Sequence, residues 1–285
     1  MKLGINPSYF TKNEDRNSYD VIMTYARLCT EAGLPKLDLS VPTSRPDFLE
    51  FAKRLRESFD KEGIEVHQSH APFNRYEYRH GARLEDFRPK LYASVEAASA
   101  LGSRYLVVHA DEYVIPEGEE YSPKAAEDFT YELLAPMVEK AERLGVKIAI
   151  ENLFEDKLYR QHPESRFTSR IEELISIIER FSGRVGCCWD FGHGKVAFGD
   201  TAFEKFKTVF PHIVCTHVHD NYYNMDLHTL PTLGSTNFAP FIRYMKENGY
   251  SGELVYELVY GSVPEALVPD FLKYAKGVGD YLLSL

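Results

Sequence analysis

Eight short apolar runs, each followed by a polar loop and an amphipathic helical pattern, predict an α/β chain closed as a (β/α)8 TIM barrel. Three observations carry this reading. The strand–helix beat continues without a linker or a shift in composition, so the 285 residues read as one domain, 1–285. Six of the helical patterns are followed closely by a glycine (Gly33, Gly63, Gly102, Gly145, Gly183 and Gly249), where a left-handed cap is wanted. No Gly-x-Gly-x-x-Gly turn follows the first run, which weighs against a doubly wound nucleotide-binding sheet.

The strand-like runs are Lys2–Asn6, Lys36–Ser40, Ile64–His70, Tyr105–His109, Val146–Glu151, Val185–Asp190, Ile213–His219 and Leu254–Glu257. Between them lie helical patterns over Tyr19–Ala32, Pro46–Glu62, Leu84–Leu101, Pro123–Leu144, Arg170–Phe181, Thr201–Phe210 and Ala239–Asn248, with a last helix over Glu265–Leu283. Strands alternating with helices favour parallel pairing through right-handed crossovers. Period-two parity then separates the two faces of each strand. In Val146–Glu151, Ile148 and Ile150 face the helices while Ala149 and Glu151 face the interior. The same parity turns Tyr105, Val107 and His109 inward, with Cys188 and Asp190, Cys215 and His217, and Val255 and Glu257. The third run breaks the rule, because Glu65, His67 and Ser69 make its outer face polar.

With 44% hydrophobic residues the chain can bury a sizeable core, and a net charge of −10 without a basic patch argues against nucleic acid or anionic membrane as a partner. No apolar run approaches the ~20 residues of a membrane span, and the start of the chain reads as a strand rather than a signal region. Four cysteines, two of them adjacent, fit neither a disulfide framework nor a zinc-knuckle spacing. A cytoplasmic protein acting on a small molecule is the expectation, with self-association left open.

Six consecutive runs, the third to the eighth, end on or near His70, His109, Glu151, Asp190, His217 and Glu257. Neighbouring barrel strands are ~4.8 Å apart, so inward side chains at these ends converge on one mouth. Three carboxylates crowded there repel unless a cation or shared protons compensate. The accompanying imidazoles make a mixed N/O set suited to Zn, Mn, Fe or Co rather than Ca. The loop after the seventh run adds Asp226-Leu227-His228, and His219 lies on the same face as His217, one step further out.

The ordered motifs His70-Ala71-Pro72-Phe73, Val108-His109, Glu151-Asn152, Asp190-x-x-His193, His217-x-x-Asp220, Asp226-x-His228 and Glu257 resemble those of the xylose-isomerase-like TIM-barrel superfamily. That group holds sugar isomerases and epimerases, inosose dehydratases and apurinic-site endonucleases of the endonuclease IV type. The resemblance to ketose epimerases implies one divalent ion, often Mn, on Glu151, Asp190, His217 and Glu257. It also implies that Glu151 and Glu257 are the acid/base pair and that His193 contacts substrate oxygen. The resemblance to the endonucleases implies three zinc ions: His70, His109 and Glu151 for one, Glu151, Asp190, His217 and Glu257 for the second, and His193, Asp226 and His228 for the third. The sequence departs from both. Where ketose epimerases carry an Arg it has Asn221-Tyr222-Tyr223-Asn224, and it has Gly234-Ser235-Thr236 where Gly-Glu-Gly is usual.

The expected function is therefore that of a metal-dependent isomerase or epimerase of a sugar or sugar phosphate, using one to three Mn, Zn or Co ions. Proton transfer would pass through an enediolate that the metal stabilises. A zinc endonuclease and a dehydratase are the alternatives. Expected substrate contacts are His219, the mouth aromatics Tyr9, Phe10, Phe73, Phe191, Tyr222 and Tyr223, and the loop 152–168. That loop carries Arg160, His162 and Arg166 and is open to two readings, an anion-binding cover or a solvated surface loop.

Overall fold

The strands of the computed structural model, which describes residues 1–7, 17–73, 83–155, 165–222, 225–259 and 263–285, are β1 (Lys2–Ile5), β2 (Lys36–Asp38), β3 (Glu65–His70), β4 (Tyr105–Val108), β5 (Lys147–Glu151), β6 (Gly186–Asp190), β7 (Ile213–His217) and β8 (Glu253–Tyr256). Every neighbouring pair is parallel, in the order β7-β6-β5-β4-β3-β2-β1-β8. The gap between β7 and β8 is spanned just beyond β7, where the Val218 N–H donates to the Val255 carbonyl at 2.7 Å and Val218 bridges Tyr256. The result is a nearly closed (β/α)8 barrel with helices between the strands.

Strand parity divides the core in two. Leu3, Ile5, Leu37, Val66, Leu106, Val108, Ile148, Ile150, Trp189, Leu254 and Tyr256 face outward into the layer shared with the helices. Inside the barrel, Val107, Ala149, Cys188 and Cys215 form a separate small apolar cluster. Small side chains suit that interior, because the polar groups above it take up the remaining space.

The polar outer face expected of the third run has a structural cause. Leu37 pairs with Val66 but Asp38 pairs with Gln68, so His67 is an extra residue and β3 is bulged there. The bulge shifts the alternation. Val66 packs outward, while His67 is buried with its Nε2 2.9 Å from Glu253 and Gln68 donates to Asp38 at 3.2 Å. Ser69 is satisfied by the Leu39 carbonyl and Ser103.

All six glycines expected past helix ends have positive φ, between 70° and 85°. One helix, Phe191–Phe198, was not expected, and it begins immediately after β6. Its N-cap is Asp190, whose side chain accepts the His193 N–H at 2.6 Å. Among the described residues no helix is long and apolar enough to cross a membrane.

Candidate metal centre

At the C-terminal mouth of the barrel, the strand ends and the segments that follow them deliver three adjoining groups of ligand-type side chains. They are His70, His109 and Glu151; Glu151, Asp190, His217 and Glu257; and His193, His219, Asp226 and His228. Within each group, one donor atom from every residue lies within 4.8 Å of the others. The first two groups share Glu151. Its Oε2 lies 3.3 Å from His70 Nε2 and 3.1 Å from His109 Nε2, while its Oε1 lies 2.9 Å from His217 Nδ1. His217 Nδ1 is also 3.5 Å from Glu257 and 3.8 Å from Asp190. In the third group Asp226 Oδ2 lies 3.1 Å from His228 Nε2 and 3.5 Å from His193 Nε2.

The far nitrogens of four rings are already committed. His70 Nδ1 donates to the Ala71 carbonyl at 2.6 Å, His193 Nδ1 to the Asn152 carbonyl at 3.0 Å and His228 Nδ1 to the Glu257 carbonyl at 2.9 Å. His217 Nε2 donates to the buried Asp38 carboxylate at 3.0 Å. Each ring therefore turns its other nitrogen toward the acids, which is how ligating histidines are oriented and polarised.

Electrostatics points the same way. Among the described residues, the ion-pair partners of Glu151, Asp190, Asp226 and Glu257 are all histidines. Burial would raise the Glu151 carboxyl, but His217, His109 and His70 hold it well below the usual range. Burial likewise opposes protonation of His193, yet Asp190 and Asp226 push it up to about 10. His228 is pushed up to about 9, chiefly by Asp226 and Glu257 against burial. The His109 imidazole goes down, because burial dominates there. Without a cation the site must neutralise its carboxylates with protons on imidazoles. A divalent ion does the same work with ligand atoms already gathered, so the donor set fits one.

The supporting groups come from the same strand ends. Asn152 clamps β6 at Asp190, accepting its N–H at 2.7 Å and donating to its carbonyl at 3.0 Å. Asp220 accepts the backbone N–H groups of Asn221, Thr236, Gly234 and Thr232 at 2.8 to 3.2 Å, closing the loop that carries Asp226 and His228. Asp38 and Gln68 had not been singled out from the sequence. Asp38 between Leu37 and Leu39 carries the same mark as Glu151, an acid in phase with a strand's inner face.

A cavity of about 440 Å³ opens over these groups, lined among others by His70, Phe73, His109, Glu151, Arg166, His193, Asp226, His228 and Glu257. Phe73 is half exposed and stacks on His109, with ring centroids 4.3 Å apart. Tyr222 is exposed and does not line the cavity. Phe191, expected at the mouth, is instead buried behind β6 against Phe206, Phe238 and Phe241, because its position on the new helix faces outward. His219, expected at the substrate, is fully buried with its Nε2 3.0 Å from Asp190. Arg166 is buried rather than solvated and pairs with Asp111 at 2.7 Å. Tyr9, Phe10, Arg160, His162 and Tyr223 lie outside the described residues.

Comparison with known proteins agrees with this architecture. Residues 26–277 match the family described as xylose isomerase-like TIM barrel. An uncharacterized protein of Methanocaldococcus jannaschii, MJ1311, is 28% identical over 221 residues, covering 74% of this chain and 69% of that protein. A D-tagatose 3-epimerase-like protein superposes with a TM-score of 0.71 at 23% identity, covering 99% of this chain and 100% of that one. The IolI protein, solved with a bound zinc atom, gives 0.75 at 18% identity, covering 100% of this chain and 98% of that one.

Proposed function

Because the chain belongs to the xylose isomerase-like TIM barrel family, we propose that it is a divalent-metal-dependent isomerase or epimerase of a sugar or sugar phosphate. The observation that carries this is the placement of Glu151 and Glu257. Glu151 ends β5 and Glu257 directly follows β8, and the two share one ligand group with Asp190 and His217 and line the same cavity. Mn, Zn or Co held by these four residues would withdraw electron density from the carbonyl and adjacent hydroxyl of a sugar, easing loss of the neighbouring C–H proton.

The chain's own residues supply the rest. Glu151 and Glu257 remove and return the proton, each held in place beside neighbouring imidazoles. His193, donating through Nδ1 to Asn152, presents Nε2 to the cavity side of the site. The exposed face of Phe73 offers a stacking surface for the apolar face of a sugar ring. The 3-epimerase-like structure named above gives this substrate class its support.

The ligand groups flanking the shared Glu151 favour a second reading, hydrolysis of a phosphate ester with three zinc ions. A net charge of −10 opposes a nucleic-acid substrate. The two separate by assay. The chain is stripped with chelator, reloaded with Mn, Co or Zn singly, and offered free and phosphorylated ketoses and aldoses beside a duplex with an abasic site at low salt. Interconversion of at least one sugar is expected, and strand nicking without it would reverse the order. Glu257→Gln should lower sugar turnover by roughly 100- to 10,000-fold while the unfolding midpoint of the metal-free protein changes little. Retained turnover would remove Glu257 from the chemistry.

A further inference from the structure

Asp190 carries more bonds than membership of a ligand group requires. Its Oδ1 accepts the His193 backbone N–H at 2.6 Å, the bond that caps the helix Phe191–Phe198. His219 Nε2 lies 3.0 Å from Oδ1 and 3.1 Å from Oδ2. An ionised carboxylate only accepts, so the imidazole is the donor. The other carboxylate near that nitrogen, Asp226, is 3.7 Å away and outside hydrogen-bond reach. Asp190 Oδ2 also faces His217 Nδ1 at 3.8 Å, on the side of the group formed by Glu151, Asp190, His217 and Glu257.

The fold fixes the ring that makes this bond. Gly192 abuts one edge of it, where a Cβ would fall 1.8 Å from His219 Cε1. Asn221 holds Gly192 in turn, its Nδ2 donating to the Gly192 carbonyl at 3.0 Å. His228 stacks on a face of the ring, with centroids 4.0 Å apart and planes 15° from parallel. His219 is fully buried and does not line the cavity, so it has no access to a substrate there. Among the described residues no hydrogen-bond partner reaches its Nδ1. An apolar side chain would fill the same space without leaving a buried polar atom unmatched. What the imidazole adds is the bond to Asp190.

We propose that His219 is a positioning residue that acts through Asp190. Its Nε2–H, together with the His193 N–H, locks the carboxylate so that Oδ2 stays turned toward the ion shared with Glu151, His217 and Glu257. This rests on the reading that those four residues hold a divalent cation. The terminal torsion of an aspartate is broad, and two donors on the carboxylate remove that freedom before an ion arrives. Partners that orient a ligand in this way are commonly worth roughly 10- to 100-fold in metal affinity. His219 takes no ligand position itself, because Nε2 is committed to Asp190.

The test is a set of variants of the full-length chain, stripped of metal and titrated with cobalt against a chromophoric chelator. His219→Met fills the space without a donor. It should weaken cobalt binding roughly 10- to 100-fold and shift the cobalt d–d absorption. His219→Gln keeps an N–H at about the same reach and should recover most of the affinity and the wild-type spectrum. In an Asp190→Ala background, His219→Met should have little further effect, because the residue it acts through is gone. Gly192→Ala displaces the ring without removing it and should behave like His219→Met, so the test stands even where the methionine variant fails to fold. The proposal is overturned if the ring can be removed or displaced without loss of affinity. It is overturned equally if His219→Gln is as weak as His219→Met, or if the loss is as large in the Asp190→Ala background. A wild-type chain that binds no cobalt would instead overturn the metal reading beneath it, so the two failures are distinguishable.

Discussion

An imidazole offers a cation one nitrogen at a time, and the group holding the other nitrogen decides which one. For His217 that group is Asp38, a buried carboxylate 3.0 Å from Nε2, itself accepting from Gln68. A charged acceptor there raises the basicity of Nδ1, the atom facing Glu151 and Glu257. Asp38→Asn keeps the shape and removes the charge. Cation affinity, measured by competition with a chromophoric chelator, should weaken roughly 10- to 100-fold. An unchanged affinity would reduce Asp38 to a packing residue. Glu151, Asp190, His217 and Glu257 were legible in the sequence because strand parity fixes which face a side chain takes. Asp38 was equally legible by parity, but β2 is short and its acid does not end a long apolar run. The burial of His219 was not legible, since no rule of spacing shows that Gly192 leaves room for its ring.

At the scale of elements, the mouth is only as well placed as the strands beneath it, and β6 leans on an aromatic cluster. Trp189 and Phe191 pack against Phe206, which also meets Phe203, Phe210, Phe241 and Tyr244. Phe206 is fully buried, so Phe206→Ala should cost about 3–5 kcal/mol of stability. Urea unfolding of the metal-free protein checks this, and a loss under 1 kcal/mol would mean that the cluster does not support β6. The strand–helix alternation was readable from hydrophobic periodicity. The helix Phe191–Phe198 was not, because it is short and Gly192 and Gly194 interrupt its period, although Asp190 is a residue type favoured as a helix cap. The bulge at His67 showed in the sequence only as the broken parity of the third run, which does not say where the extra residue lies.

For the molecule as a whole, the two ends of the barrel do different work. The mouth gathers acids around imidazoles, while the opposite end balances its charge internally, with Glu253 3.0 Å from Lys36 and 2.9 Å from His67. Burial would raise the Glu253 carboxyl, but His67 and Lys36 bring it down to about 2. A carboxyl whose folded value lies below its unfolded value stabilises the fold above the unfolded value, about 4.5. That contribution is lost as pH falls from there toward 2. Its size is on the order of 3 kcal/mol. The stability gap between wild type and Glu253→Gln should therefore narrow between pH 6 and pH 3 in urea unfolding, and a gap independent of pH would show that the charge is not what Glu253 contributes.

The mouth carries the central claim, that gathered acids and a bound divalent ion move a proton on a sugar carbon. The most direct measurement is solvent exchange: the Mn- or Co-loaded protein is incubated in deuterium oxide with a panel of ketoses and their phosphates. The account predicts deuterium at the carbon beside the carbonyl of at least one of them, dependent on the ion and lost in Glu257→Gln. Deuterium in none of them, from a chain shown to be folded and metal-loaded, would contradict it.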